Sequence, residues 1–528
     1  VSLLGTLAKV EAAAAGRAVA RTAVRHRHVG ARPVVVVPLT MAGEAGAPWA
    51  AMVGADPSAP ELLVVDQPLD RSQRFAFLAE LAEALLPEIG AASEGDVVRE
   101  EKKARAGEEP QVTERVAEAP QLVVPNRAAA EYLGLLGRSA RFRRTEEADG
   151  PGEWRVPARV PLLGRWLTHY AERSRVPGSC LLLAATELLA RHWATGQSGY
   201  EDLQLGALLA WVDPPADGDG AAEALRRERE RDGRGVLRYP VAGPSTDPAF
   251  DNRLLAPALQ RYDAAVRSGA EASPALARAE LRELAEGQLR PVWDAVWRAV
   301  ELVGALPAAA RVASRWEGDL WSFTHHRDRV AAGEGPQPRW DDAVTAARKL
   351  ASRERALALL EAQEALDDPL VMAERRLAGE AFRGTVLEVL PEWEGDAAGQ
   401  SPSMRGGGRA AGGRAPKPRP VVVLRSDDPV LPGAGVTVYR EGLEGKPQRG
   451  VSEGFEDGVA RIRLMDRMGR GKEPAPGSLP EEGERVVFTL FEHGAQRSAP
   501  LPEPEEVPWT HVGAEPAAEG DPEEAWEA

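Results

Sequence analysis

The hydrophobic period changes most clearly near residue 381, and that change constrains the architecture more than any other feature. From about residue 161 to 381 apolar residues recur mostly at three- and four-residue steps, the period of helices. From Phe382 they gather instead in short β-forming runs, at 382–390, 421–425, 435–440, 459–465 and 485–491. Turn residues separate them at 427–429, 432–433 and 480–483. Such spacing predicts a small five-stranded barrel of the OB or SH3-like sort over 382–495, with a flexible basic insertion at 397–420. Residues 496–528 read as an acidic, disordered tail.

Upstream, residues 1–31 read as an Ala-rich helical segment. Residues 32–138 read as a small α/β domain, with strands at 34–37, 49–53, 61–65 and 121–124. Residues 54–60 make a hairpin turn, and helices cover 75–89 and 128–136. The polar stretch 91–119 reads as a loop. After a linker at 139–160, residues 161–381 read as a large all-α domain with helices at 162–172, 179–194, 201–211, 221–232, 274–306 and 341–366. Pro291 marks a break in the long helix. The tryptophans at 293, 297, 316, 321 and 340 read as core. The whole is a multidomain α+β chain, as 528 residues lead one to expect, since one core seldom organises more than ~300.

Charge narrows the function classes. A net charge of −16 argues against coating nucleic acid along the full length, while leaving room for a local basic patch. Cys180 is the only cysteine, so it supports neither a disulfide nor a Cys-based metal site, and it reads as a small buried hydrophobe. No apolar run is long enough to span a membrane, and the cytoplasm is the expected location.

No catalytic signature emerges. The Gly-Lys pairs 445–446 and 471–472 lack the following Ser or Thr of a phosphate loop. No two histidines sit three or four residues apart, as two ligands on one helix face require. His325 and His326 read as a polar helix cap, and His26 and His28 as part of a solvated basic segment. Asp66 with Glu100 and Lys102 formally matches a metal-dependent nuclease, but the polar run around Glu100 reads as a solvated loop. No cofactor or metal is expected.

The clearest candidate for binding is cationic. Arg405, Arg409 and Arg414 lie in the insertion, and Arg461, Arg463, Arg467, Arg470 and Lys472 lie in the barrel. Cations on a small barrel, with Tyr439 and Phe488 as stacking platforms, suit single-stranded nucleic acid. The plainer reading is a solvated linker and an edge guarded by arginine.

Three blocks, RPVVVVPLTMAGEAGAPWAAMVG, LLLAATELLARHWATGQSGYEDLQLGALLAWVDPP and DDPLVMAERRLAGEAF, resemble an uncharacterised family of high-GC actinobacterial proteins. That resemblance spans most of the chain and implies no activity. A long helix feeding a small barrel is similar in architecture to the accessory barrel of superfamily-one helicases, whose motor motifs are absent here. Three functions follow as expectations. The first is a non-catalytic accessory protein acting with a protein partner. The second is a nucleic-acid-binding factor, helicase- or nuclease-associated, working through the barrel. The third is a hydrolase or nuclease with its site in the α/β domain.

Overall fold

The computed structural model describes residues 3–102, 111–150, 152, 155–216, 218–268, 272–393, 417–429, 432–469, 473–494 and 500–502. They form two compact units, one of Leu3–Arg353 with 500–502, the other of 354–494.

In the first unit the chain runs α1 (Leu3–Ala15), β1 (Val19–Ala20), β2 (Val34–Thr40), β3 (Pro48–Gly54), β4 (Glu61–Val64), α2 (Arg71–Ser93), β5 (Val97–Lys102), β6 (Gln111–Val116) and β7 (Leu122–Val124). It continues through α3 (Arg127–Ala140), α4 (Glu146–Asp149), α5 (Arg159–Ser174), β8 (Leu182–Ala184), α6 (Ala185–His192), β9 (Trp193–Ala194), α7 (Leu205–Val212) and α8 (Gly220–Arg229). The short α9 (Pro248–Phe250) leads through a π-helical turn into α10 (Ala256–Ser268), α11 (Ala272–Gly304) and α12 (Val312–Ala331).

Five strands form one mixed sheet in the order β4-β3-β2-β7-β8. β3 runs antiparallel to both β2 and β4, whereas β2, β7 and β8 are parallel. Side chains alternate faces along a strand. All seven residues of β2 are buried, so both faces of the sheet are covered there. Its unbroken VVVVPLT run is the composition such a doubly covered strand requires. Helices α2, α3 and α5 pack together, as do α11, α6, α7 and α10.

The expected strands at 34–37, 49–53, 61–65 and 121–124 and the helices after them are present, but three readings need correction. The segment 179–194 is not one helix, because it contains β8, α6 and β9. A fully buried apolar run such as 181–184 has the same hydrophobic signature in either state. The expected loop at 91–119 contains the hairpin β5–β6, which sets Arg99 opposite Glu114 in an ion pair of 2.6 Å. α11 runs through Pro291 without a break. Because β8 lies beyond the linker drawn at 139–160, the α/β domain and most of the expected helical domain form a single unit.

The second unit holds the C-terminal part of α13 (Ala343–Asp367), then α14 (Pro369–Leu377), β10 (Ala381–Leu390), β11 (Val421–Ser426), β12 (Thr437–Glu441), β13 (Pro447–Glu456), β14 (Val459–Leu464) and β15 (Arg485–Thr489). The strands close a barrel in the order β10-β11-β14-β13-β12-β15, six strands where five are expected. The additional one, β13, buries Gln448, Gly450 and Ser452, which carry no hydrophobic signal. Gly450 is required by packing, since a Cβ there would lie 2.7 Å from Ile462 Cγ2. Asp457 and Gly458 turn β13 into β14 with φ of 48° and 79°, as a two-residue hairpin demands. Arg376 on α14 grips Asp428 through two bonds of 2.8 Å, and Asp428 also accepts from the Arg383 backbone N–H at 2.7 Å. This ties the helix to the barrel.

Candidate functional site

The connections leaving the adjacent parallel strands β2 and β7 run in opposite directions, from β2 to β3 on one side and from β7, through α3, α4 and α5, to β8 on the other. Such a switch point opens a crevice outside the carboxyl ends of the parallel strands, where sheets of this kind bind ligands. Thr40 ends β2, and Asn126 follows β7 as the N-cap of α3, its Oδ1 accepting from Ala129 N at 2.9 Å.

A segment of the same chain occupies this position. Asn126 Nδ2 donates to the Gly243 carbonyl at 2.7 Å, and Thr40 N donates to the Pro244 carbonyl at 2.7 Å. Thr246 N returns a bond to the Thr40 carbonyl at 3.1 Å. Asp251 completes the closure, one oxygen accepting from Thr246 Oγ1 at 2.6 Å and the other from Ala42 N at 2.7 Å. Burial raises the Asp251 carboxyl above its ordinary range, against the lowering effect of those two donors. Beside it Phe250 packs on Trp49 of β3, ring centroids 5.7 Å apart. The polar groups a ligand would meet at the strand ends are therefore engaged by 243–251. Neither Asn126 nor Asp251 stands out in the sequence. The pairing joins residues 117 positions apart, and no local pattern announces it.

The nuclease constellation does not assemble. Asp66 follows β4 and accepts from Arg278 Nε at 2.5 Å, whereas Glu100 lies on β5 in a separate two-stranded sheet, near Arg115 at 3.6 Å. No group of three or more His, Cys, Asp or Glu among the described residues is placed to hold a metal ion.

Cys180 is buried, and burial pushes its thiol up to about 11. The histidines lie farther from solvent than their sequence context leads one to expect. His26 is buried and His28 stacks on Trp316 at 4.2 Å, so neither belongs to a solvated segment. His326 is no helix cap, because it lies inside α12 stacked on His169 of α5 at 4.3 Å, the rings 5° from parallel. Burial first, then the neighbouring His326 and Arg173, hold His169 well below the usual imidazole range. Burial, with Arg165 and Arg329, brings His326 to about 4. Of the expected core tryptophans, Trp340 is 83% exposed.

In the barrel, Arg405, Arg409, Arg414, Arg470 and Lys472 fall outside the described residues. Arg463 pairs with Glu392 at 2.7 Å and with Glu453, which also faces Arg461 at 3.5 Å. Arg467 is exposed in a left-handed conformation, φ 61°. Tyr439 is half-buried on β12. Phe488 is wholly buried and stacked on Phe382 at 5.6 Å, so it offers no face to a base. The described cations thus form no continuous track: two share carboxylates, and one of the two expected platforms is core.

Comparison with family models, with curated proteins and with solved structures finds no match for this chain. Among the described residues no helix is long and apolar enough to cross a membrane.

Proposed function

We propose that this chain is a non-catalytic accessory protein that acts by binding a protein partner. One observation supports the reading above the others: the switch-point position, where a sheet of this order takes a ligand, is filled by 243–251 through Asn126, Thr40 and Asp251. The dispersal of Asp66 and Glu100 over two sheets and the burial of Cys180 agree with it. The nucleic-acid reading through the barrel is weakened by the burial of Phe488 and by the carboxylates beside Arg461 and Arg463.

The test is a thermal-shift panel of nucleotides, dinucleotides and sugar phosphates, the ligands that suit such a crevice. A ligand at a hundred times its Kd stabilises by about 2.7 kcal/mol, visible as a shift of degrees. No shift is expected. A stabilising ligand whose effect disappears in Asn126→Ala would place a ligand site at the switch point and overturn the proposal.

A further inference from the structure

Trp340 is exposed, yet it does not hang from a loose segment. Just before it, Gln337 is buried and donates its amide to the Arg165 carbonyl of α5 at 3.1 Å. Arg141, at the end of α3, donates to the Pro338 carbonyl at 3.0 Å. Two glycines let α3 and α5 meet closely enough for this. A Cβ at Gly137 would lie 2.7 Å from the Thr168 nitrogen, and one at Gly164 would strike the Arg141 backbone.

The same approach buries Arg141, which is 5% exposed. Its guanidinium meets only neutral oxygens, the Thr168 hydroxyl at 3.3 Å and the Pro338 carbonyl, and its Nε has no partner. Buried charges are ordinarily paired, and the carbonyl end of α3 offsets only part of this one.

The charge nearest to it is of the same sign. Arg141 and Arg339 both lie over the Phe142 ring, 5.0 and 5.1 Å from its centroid. One helical turn back, Arg138 lines a recess with Gly134, Ala171, Ser174, Arg175 and Leu182. The acids at that recess, Glu131 and Glu187, pair with Arg127 at 3.1 and 3.4 Å. Asp341, next to Trp340, is held by Lys349 at 2.7 Å. Among the described residues no carboxylate forms an ion pair with Arg138, Arg141, Arg175 or Arg339. Desolvation and then Arg175 lower the Arg138 guanidinium from its ordinary value. Desolvation lowers that of Arg141, with Arg138 and Arg339 acting the same way and Glu172 against them.

We propose that the surface made by Arg138, Phe142, Arg339 and Trp340 docks an acidic peptide segment of the protein partner, its carboxylates taken by the arginines and an apolar side chain laid on Trp340. Charge complementarity selects this occupant, since a carboxylate brings the counter-charge that Arg141 and its neighbours lack. The planar fork of arginine matches a carboxylate with two parallel bonds. Trp and Arg are also the side chains that most often dominate the binding energy of protein interfaces. Single-stranded nucleic acid asks for a row of cations and bare rings, but Phe142 already has guanidiniums over it and the chain carries a net charge of −16. The inference rests on the partner-binding reading and names the surface that does the binding.

The test titrates the full chain into a fluorescein-labelled peptide of glutamate and leucine, followed by anisotropy at low salt. The native chain should bind it saturably, and the counterpart peptide of glutamine and leucine should not bind. Arg339→Glu and Trp340→Ala should each weaken binding at least about tenfold, the size of a hot-spot loss. Arg229→Glu, the same charge change at an exposed position of α8, should stay within about twofold of the native chain. All three positions are exposed, so the variants should keep the native circular dichroism. Absence of saturable binding, equal binding of the glutamine peptide, or full affinity in Arg339→Glu or Trp340→Ala overturns the proposal. So do equal losses in Arg339→Glu and Arg229→Glu, and so does tighter binding of a single-stranded oligonucleotide than of the peptide. None of these outcomes removes the partner-binding reading, which falls instead to a ligand acting through Asn126.

Discussion

Asn126 donates its side-chain amide to the carbonyl of Gly243 at 2.7 Å while its Oδ1 caps α3, so one residue both starts a helix and holds down a segment 117 positions away. The two bonds separate by substitution. Asn126→Asp keeps the capping oxygen and removes the donor, whereas Asn126→Ala removes both. Loss of the cap costs about 1 kcal/mol and an unpaired carbonyl about 1–3 kcal/mol. Urea denaturation should therefore rank the native chain above Asn126→Asp and that above Asn126→Ala. Equal stability of the native chain and Asn126→Asp would show that the tie to Gly243 contributes nothing.

Asp319 is fully buried on α12 and receives three bonds, from Arg173 at 2.6 Å, Ser179 Oγ at 2.7 Å and Cys180 N at 2.6 Å. It pins α5 and the entry to β8 to one helix. Asp319→Ala leaves a part-buried guanidinium without its carboxylate and should cost about 3–5 kcal/mol. Ser179→Ala removes one donor and should cost about 1 kcal/mol. Chemical denaturation followed by tryptophan fluorescence measures both, and equal losses would refute the ranking.

The His169–His326 stack fixes the sign of a pH dependence. Both folded values lie below the ordinary 6.5, so the unfolded chain takes up protons that the folded one refuses. Their contribution is complete above about pH 7 and is lost as pH falls through the unfolded value, by at most about 1.4 kcal/mol per histidine per pH unit. His28 and His192, each at about 4, act in the same direction. Asp251, raised by burial, acts in the opposite one. Tm should fall between pH 7 and pH 5, and His326→Phe, which keeps a ring against His169, should flatten that fall. An unchanged slope in the variant would remove the stack from the explanation.

Most of the elements were legible in the sequence because their signals are local. Phe77, Leu78, Leu81, Ala82, Leu85 and Ile89 repeat along α2, and Val34–Val37 and 121–124 are short apolar runs bounded by turns. What escaped was decided by partners. β8 is a strand because β7 lies beside it, pairing Leu122 with Leu182. β13 is a strand because the barrel needs a sixth member, and its inward Gln448 is satisfied by bonding the Asp466 and Ser478 carbonyls. The candidate site was hidden for the same reason. Asp251 has meaning only beside Ala42 and Thr246, which the fold brings to it.

Ala381 faces Thr489 across the pairing of β10 with β15. The chain therefore enters and leaves the barrel at neighbouring points on one seam. A module with adjoining ends behaves as a cassette: it can be inserted into a loop of a host, or excised and its ends rejoined, without stretching the backbone on either side. The barrel of this chain carries the geometry of a portable part, whatever the rest of the molecule binds.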